Sequence, residues 1–403
     1  MGAIIVGMRN GAGEWLGLST SERLPFLEGM RGILAIYVVL GHIASMADPS
    51  GLAGRRSDSP EWMQRLLAPF AYGHLAVAGF IVLSGFCLQL SLYASGNGTV
   101  KHLGRFFLRR ARRILPTYYA ALIISLAVCF TVTNRLAGMP FELYVPVTPE
   151  NTWAHIFLIH NWNPDWMYKI NGVMWSIAIE AQLYIVFPAL AWLVSRRHSG
   201  SRWGMLVGAY AVAAVVTETA PNGLKLYPWY LALFATGMFA ASLAYRPLSQ
   251  RAVSLAPGWI AATGSILYLG FAIALRWELP LRDIGIAGLV SALAYVWTVD
   301  SHHWLARSLG SRPLYWLGSM SYSLYLVHHP IQQVFYFWRP IWVNTNDRIL
   351  IYLTAVLPIN IALAWLFYRV FERPFARGNS DTDQEPPDAF FPKRFPLRTA
   401  TSD

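Results

Sequence analysis

The chain contains little cysteine and little charge. Among its 403 residues there are only two cysteines, Cys87 and Cys129, and both lie in apolar stretches. Two such thiols provide neither a disulfide framework nor a CxxC metal motif, so redox chemistry, thiolate-metal chemistry and a bound cofactor or metal are not expected. Charged residues make up only 13% of the chain, which excludes an ordinary soluble domain.

Apolar residues dominate instead. Hydrophobic residues make up 55% of the chain and aromatic residues 14%, a composition typical of a multi-pass membrane protein. Ten apolar segments are long enough, or nearly so, to cross about 30 Å of hydrocarbon. The sequence therefore predicts an all-α, polytopic helical bundle of about ten transmembrane helices. The predicted segments are 26–46, 70–94, 107–133, 174–195, 203–217, 226–245, 257–276, 283–300, 314–337 and 349–371.

The distribution of charge predicts an orientation. If the N-terminus is inside, the inner segments hold about twice as many Lys and Arg residues as the outer loops, as expected for cytoplasmic segments. Both termini are therefore expected in the cytoplasm and the bundle in the cell (inner or plasma) membrane. The net charge of +11 comes from residues at segment ends, without a patch of base-stacking aromatics, so nucleic acid is not an expected partner.

The chain divides into three parts. Residues 1–23 form a polar cytoplasmic N-terminal segment, 24–376 the membrane domain, and 377–403 a tail whose polar, Pro-containing composition predicts a disordered cytoplasmic segment. No folded second domain is expected. The apolar stretch 153–162, within the long outer loop 134–173, is too short to cross and predicts an interfacial or re-entrant segment.

Two polar residues share one face of the first apolar segment. Arg31 and His42 are eleven residues apart, so on a helix they lie along one stripe, about 16 Å from each other. Burying both in a membrane is costly, which points to a charged or reacting ligand inside the bundle. The alternative is that Arg31 reaches the headgroups and His42 makes only an interhelical hydrogen bond.

A run of arginines precedes the third segment, in the sequence RFFLRRARRILPTYY (105–119). Arg109, Arg112 and Arg113 have the i, i+3, i+4 spacing of one helix face. Forked guanidinium groups on one face suit a phosphorylated ligand that enters from the cytosol. The alternative is an anchor that contacts anionic lipid.

Further polar residues occur in the fourth and ninth segments. Glu180 lies about two turns from the outer end of its segment, where a carboxylate needs a partner. Since His42 lies at a comparable depth, we expect a hydrogen bond between Glu180 and His42 that orients the imidazole as a general base. In the ninth segment Tyr322, Tyr325 and His328 recur at i, i+3 and i+6 beside Ser321 and predict a wet face, although such residues more often mediate helix packing.

Together these motifs resemble acyltransferase family 3, the membrane proteins that O-acetylate surface polysaccharides. The resemblance rests on MRGILAIYVVLGHI, GFIVLSGF, RRARRILPTYY, WSIAIEAQLY, LGSMSYSLYLVH and FERPF, which occur in the family's order across about residues 24–376. It implies a bundle of about ten spans that transfers an acyl group, expected to be acetyl from acyl-CoA, to a hydroxyl of a sugar-containing acceptor.

The resemblance also assigns residues. Arg31 and His42 match the essential catalytic pair, Glu180 the acidic residue, and Arg110 and Arg113 the basic block. We expect Arg109, Arg110 and Arg113 to bind acyl-CoA. Residues expected to contact or support substrate are Trp175, Ser321, Tyr322, Tyr325 and His328. Some relatives carry an additional extracytoplasmic domain, so a separate acyl-accepting protein is a possible partner.

The mechanism is expected to start at His42, either as a general base for the acceptor hydroxyl or as a nucleophile that forms an acyl-imidazole. Arg31 is expected to pair with pantetheine or phosphate, or to stabilise the carbonyl oxygen. The main alternative is a proton-coupled transporter or exporter that uses the buried Arg, His and Glu as a relay. A purely structural membrane protein is the third.

Overall fold

The computed structural model describes residues 24–47, 60–196, 199–220, 227–245, 255–338 and 345–376. Within these ranges the chain is helical and contains no β-strand. A long helical segment occurs at each of the ten predicted positions. These segments are α1 (Pro25–Ala47), α2 (Gly73–Ala94), α3 (Leu103–Thr131), α4 (Trp175–Val194), α5 (Ser199–Thr219), α6 (Trp229–Ala244), α7 (Ala256–Ala274), α8 (Leu279–Val299), α9 (Ser321–Trp338) and α10 (Asp347–Phe375).

Seven of these segments are long and apolar enough to cross a membrane: α1, α2 with the turns before it, α3, α4, α7, α8 and α10. Of the other three, α6 is apolar but has only 16 residues. The α10 segment includes two stretches of π-helix, Tyr352–Val356 and Tyr368–Glu372. The prediction of an all-α polytopic membrane protein is confirmed.

The ninth predicted segment, 314–337, is not one helix. A short helix, Arg312–Ser319, ends at Met320, and α9 begins at Ser321. The short helix packs against the start of α1 with its backbone in contact, since a Cβ added to Gly318 would lie 1.8 Å from the carbonyl oxygen of Glu28. This packing holds the short helix along α1, so the chain turns before α9 begins.

The centre of the bundle is a close crossing of α2 and α6. A Cβ added to Gly85 would lie 2.2 Å from the carbonyl oxygen of Phe234, and one added to Gly237 would lie 2.1 Å from that of Val82. Glycine at both positions lets the two backbones touch, which is how membrane helices pack without a hydrophobic driving force between them. Large apolar side chains exposed on the outside include Ile123, Phe130, Ile185, Val207, Ile260 and Phe271, as expected for surfaces that face lipid.

The loop between α3 and α4 is ordered by short helices. The helix Pro149–Ile156 begins with a capping box between Thr148 and Asn151. Tyr118 and Tyr119 of α3 donate hydrogen bonds to the carbonyl oxygens of residues 155 and 156, both at 2.9 Å. The apolar stretch 153–162 therefore includes only the last four residues of this helix, 153–156, and the short turn His160–Trp162, and the aromatic side chains of Trp153, Phe157 and Trp162 are exposed.

The remaining short elements of the described chain are Glu61–Leu67, Ala68–Tyr72, Thr133–Arg135, Phe141–Leu143, His160–Trp162, Pro164–Met167, Trp304–Leu309, Thr345–Ile351, Leu357–Phe367 and Arg373–Ala376, the last three being parts of the α10 region. The predictions for segment 1–23 and for the tail 377–403 lie outside the described residues.

Candidate functional site

His42 lies near the far end of α1 with its ring nitrogens in different surroundings. Its Nδ1 is 3.0 Å from the carbonyl oxygen of Val38 and 3.3 Å from Nε2 of His328. Because a carbonyl oxygen only accepts, the hydrogen of the neutral ring is on Nδ1. His328 is held the same way, with Nδ1 3.0 Å from the carbonyl oxygen of Leu324, so its Nε2 accepts from His42. Nε2 of His42 therefore carries a free lone pair, as a general base or nucleophile requires.

A second histidine, His329, faces His42 from α9. The two ring centroids are 5.2 Å apart. Nδ1 of His329 is 3.1 Å from the side-chain nitrogen of Gln333, whose oxygen accepts from Thr133 at 2.7 Å. This relay puts the hydrogen of His329 on Nε2, a buried atom without a hydrogen-bond partner among the described residues. The ring of Tyr144 covers the other side of His329, at 4.6 Å.

Sequence reasoning had not placed His329 in the site. The signal was the His328–His329 doublet itself, with Gln333 one turn further on the same helix. The cluster of three histidines does not form a metal site, since no group of three or more His, Cys, Asp or Glu in the described ranges could hold a metal ion.

The predicted hydrogen bond between Glu180 and His42 is absent from the described structure. Oε1 of Glu180 accepts from Ser84 at 2.9 Å and from Tyr184 at 2.6 Å. The prediction was wrong because the chain before α4 is itself buried, with residues 171, 173 and 174 at most 1% exposed. Helix α4 therefore starts inside the molecule and Glu180 lies deeper than His42. The imidazole of His42 is supported by His328 instead.

Glu180 belongs with the arginines. Arg31 is 3.4 Å from Glu28 and within electrostatic range of Glu180. Arg110 also lies within electrostatic range of Glu180. The Nε of Arg110 is buried without a hydrogen-bond partner in the described part of the chain. This arginine cluster, made of Arg31, Arg110 and Arg113 with their carboxylates, lies at the opposite end of α1 from His42.

The face of α3 that turns inward differs from the predicted one. Arg109 and Arg112 are exposed, whereas Arg110 and Arg113 are half-buried. Arg113 is 3.8 Å from Glu372, a carboxylate that is 2% exposed. Glu372 also accepts hydrogen bonds from the backbone and side chain of residue 323, at 3.1 and 2.6 Å. It thus fixes both Arg113 and the start of α9, a role that its place in FERPF could have suggested.

The predicted polar face of α9 connects the two ends of the site. The hydroxyl of Tyr322 donates to the carbonyl oxygen of residue 114 in α3, just beyond the arginines. One turn on, the hydroxyl of Tyr325 is 2.7 Å from Ser176 and 2.8 Å from the carbonyl oxygen of Val173, at the start of α4. One more turn reaches His328 beside His42. A polar stripe of one helix therefore runs from the arginine cluster to the histidines.

Two predicted support residues lie apart from the histidine cluster. Ser321 is buried at the first residue of α9, near the arginine end. Trp175 is buried at the start of α4, where it stacks on Tyr227 with ring centroids 4.7 Å apart. It belongs to a group of aromatic side chains at the histidine end of the bundle.

The fold and site define a polytopic α-helical membrane protein in which basic and histidine clusters are joined by a polar helix face. Comparison with known proteins gives the family. Residues 24–369 match the sequence model of the acyltransferase 3 family, described as an acyltransferase domain. The chain belongs to this family.

Curated relatives are more distant. The chain is 24% identical over 395 residues to the O-acetyltransferase OatA of Staphylococcus aureus (strain NCTC 8325 / PS 47). The alignment covers 88% of this chain and 57% of that protein. The chain is 22% identical over 372 residues to a putative O-acetyltransferase of Staphylococcus aureus (strain COL), with the same coverage of both. The chain thus spans little more than half the length of these relatives. No solved structure gave a significant match.

Proposed function

We propose that the chain is an O-acyltransferase of the cell membrane that moves an acyl group, most simply acetyl, from acyl-CoA to a hydroxyl of a sugar-containing acceptor. The observation that carries the proposal is the free Nε2 of His42, held in place by Val38 and His328. Membership of an acyltransferase family and the names of the curated relatives support the reaction class.

In the proposed reaction, Nε2 of His42 takes the proton of the acceptor hydroxyl while that oxygen attacks the acyl carbonyl carbon. The carbon–sulfur bond breaks, and the departing thiolate receives the proton from His42. Nδ1 of His42 keeps its hydrogen throughout, and Nε2 of His328 stabilises the charge that forms on the ring. In the alternative route Nε2 of His42 attacks the carbonyl first, the carbon–sulfur bond breaks and coenzyme A leaves as the thiolate. The acceptor oxygen then attacks this acyl-imidazole, the carbon–nitrogen bond breaks, and the hydroxyl proton ends on the thiolate.

Negative charge that develops on the carbonyl oxygen needs a donor. Nε2–H of His329 is buried, unsatisfied among the described residues and on a ring close to that of His42. We assign it the role of an oxyanion donor, because a donor fixed before the reaction costs little reorganisation. Of the two roles expected for Arg31, His329 takes over the stabilisation of the carbonyl oxygen, and Arg31, toward the other end of α1, keeps the pairing with phosphate.

The arginine cluster is the proposed entrance for the acyl donor. The unsatisfied Nε of Arg110, with Arg113 within electrostatic range of it, suits the phosphates of coenzyme A. Arg31 is linked to Arg110 through Glu180, which lies within electrostatic range of both. Glu180 and Glu372 hold these cations in place rather than take part in proton transfer. The charge bias of the sequence supports a cytoplasmic position for this end, with the acceptor, and any separate acyl-accepting protein, proposed for the opposite side.

The direct test is a comparison of His42→Ala and His42→Gln with the wild-type chain in a deletion strain. We expect acyl transfer from labelled acetyl-CoA in isolated membranes to fall by about 10²–10⁴, the usual contribution of a general base. Mass spectrometry of envelope glycans and secreted metabolites should show the loss of one acyl mass increment. The variant His302→Ala, in an exposed turn, is the matched control.

The outcome that separates this function from a transporter is covalent modification. A chain that moves labelled solute without adding an acyl group to any product would contradict the proposal. So would a His42→Ala chain, present in the membrane at wild-type level, that still acylates at a comparable rate.

A further inference from the structure

A second polar cluster lies at the histidine end of the bundle, on three helices that the proposed chemistry does not use. His74 is in the first turn of α2, Asp283 in the first turns of α8, and Trp229 at the start of α6. The carboxylate of Asp283 is 1% exposed, and its Oδ2 accepts from the indole nitrogen of Trp229 at 2.9 Å. Trp229 therefore binds one oxygen of this carboxylate and leaves the other oxygen, Oδ1, available to a second donor.

Three polar atoms of the cluster are unsatisfied. Oδ1 of Asp283, Nε2 of His74 and Nε of Arg282 are buried, and none has a hydrogen-bond partner within the described ranges. The first two are 3.8 Å apart, too far for a hydrogen bond to each other. One oxygen atom at about 2.8 Å from each would satisfy both. A buried carboxylate oxygen without such a partner costs free energy. A hydroxyl placed between the two atoms would form a hydrogen bond to each of them.

Aromatic rings surround these atoms. Trp229 lies 4.9 Å from Tyr227, which stacks on Trp175 at 4.7 Å. On the other side the guanidinium of Arg282 lies 5.7 Å from the ring centre of Tyr72. Half-buried aromatic faces beside a carboxylate and an imidazole offer apolar contact for the C–H faces of a sugar ring and hydrogen bonds for its hydroxyls.

The cluster is next to the histidines and is linked through two tyrosines to a cleft in the loop between α3 and α4. A Cβ added to Gly41, the neighbour of His42, would lie 3.6 Å from Gly73, the neighbour of His74. On the loop side, the hydroxyl of Tyr168 is 3.3 Å from that of Tyr227. Tyr168 also lines an open cleft of about 410 Å³ in the loop between α3 and α4.

We propose that His74, Asp283, Trp229 and the aromatic rings around them form a binding subsite for one neutral, hydroxyl-bearing sugar unit of the acceptor. One sugar hydroxyl donates to Oδ1 of Asp283 and accepts from Nε2 of His74. The ring lies against the aromatic group. The use of this sugar as an acyl acceptor rests on the proposed function, whereas its binding does not.

The cluster favours a neutral ligand over an anion. A phosphate or carboxylate would meet the buried carboxylate of Asp283, and like charges at close range repel. A cation would meet Arg282, which lies within electrostatic range of both Asp283 and His74. A hydroxyl both donates and accepts, which is what an unpaired carboxylate oxygen and an imidazole N–H need together.

The test measures binding without any acyl donor. The purified full chain in lipid nanodiscs is titrated with glucose, galactose, mannose, N-acetylglucosamine and maltose. Binding is followed by tryptophan fluorescence and by calorimetry. Glucose 6-phosphate serves as the anionic probe. We expect a saturable change with at least one neutral sugar, weakened at least tenfold in Asp283→Asn and with most of the fluorescence change lost in Trp229→Phe. Asp300→Asn, at the other end of α8, and Trp304→Phe are matched controls and should behave as wild type.

Thermal unfolding verifies that each variant is folded, and His74→Asn provides the same comparison if Asp283→Asn does not fold. The inference is overturned if no neutral sugar binds the folded wild-type chain, or if Asp283→Asn and His74→Asn both bind sugar with wild-type affinity. His74 and Asp283 would then hold only a structural water. Sugar binding in a chain that transfers no acyl group would keep this subsite and reject the proposed function.

Discussion

At the scale of single residues, reactivity depends on which nitrogen of each histidine carries the hydrogen. The backbone carbonyl one turn before His42 and the one before His328 fix both rings with the hydrogen on Nδ1. In His329 the side-chain amide of Gln333 donates to Nδ1, so the hydrogen of this ring is on Nε2. One accepting Nε2 and one donating Nε2 are thus presented from neighbouring rings, the pair that attack on a carbonyl group requires.

The variant His329→Phe tests this assignment. It keeps an aromatic ring against Tyr144 and removes the N–H. We expect kcat for acyl transfer to fall by about 10²–10³, the usual cost of losing an oxyanion donor, with KM nearly unchanged, because the donor acts in the transition state. Steady-state kinetics in nanodiscs measure the two constants.

The matched variant is Gln333→Leu. It leaves the His329 ring in place but removes the donor to Nδ1, so the ring hydrogen can lie on either nitrogen. Its kcat should fall less than that of His329→Phe, since part of the population still carries the hydrogen on Nε2. A rise in KM at constant kcat in either variant would instead make His329 a residue that binds substrate in its ground state.

At the scale of elements, the loop between α3 and α4 contains a pair of histidines that responds to acid. The rings of His155 and His160 are stacked 3.8 Å apart, and both side chains are fully buried. Burial lowers the pKa of His155 to about 4 and holds the pKa of His160 well below its usual value of 6.5. Both rings are therefore neutral in the folded loop.

This pair predicts that the loop loosens in acid. The unfolded loop binds protons as the pH falls through 6.5 and the folded loop does not, so stability is present above 6.5 and is lost as the pH falls toward 4. The loss is at most about 1.4 kcal/mol per pH unit for each histidine. Hydrogen exchange of peptides from 144–162 at pH 7.5 and pH 5, corrected for intrinsic rates, should show the change, and the double variant His155→Phe with His160→Phe should suppress it. Equal loosening in that variant would assign the effect to other groups.

At the scale of the whole molecule, apolar length and composition predicted the class and the positions of the ten helical segments, because these depend on burial of the backbone in lipid. The break at Met320 was not predictable, since it follows from backbone contact between Gly318 and Glu28. The partner of Glu180 was missed for a similar reason: depth in the bundle depends on a buried stretch before α4. Periodicity did predict the polar stripe of Tyr322, Tyr325 and His328.

Eleven residues of α1 separate the arginine cluster from His42, which implies that the acyl donor enters from one side only, and labelling of Cys87 tests this direction. This half-buried thiol of α2 lies within electrostatic range of Arg31 and Arg113. The other cysteine, Cys129, is buried with its Sγ 3.1 Å from the carbonyl oxygen of Ile170. We therefore expect a maleimide to label Cys87 and to spare Cys129. In sealed vesicles a membrane-impermeant maleimide should react only from the cytoplasmic side.

If coenzyme A occupies the arginine cluster, acetyl-CoA should slow the labelling of Cys87 at least tenfold, whereas pantetheine, which lacks the nucleotide phosphates, should have little effect. The double variant Arg110→Gln with Arg113→Gln should lose this protection, and Arg109→Gln, which changes an exposed arginine of the same helix, should keep it. Mass spectrometry of the labelled peptide measures the rate. Labelling that acetyl-CoA does not change would remove the arginine cluster as the donor site, and protection only from the opposite side would reverse the orientation of the whole bundle.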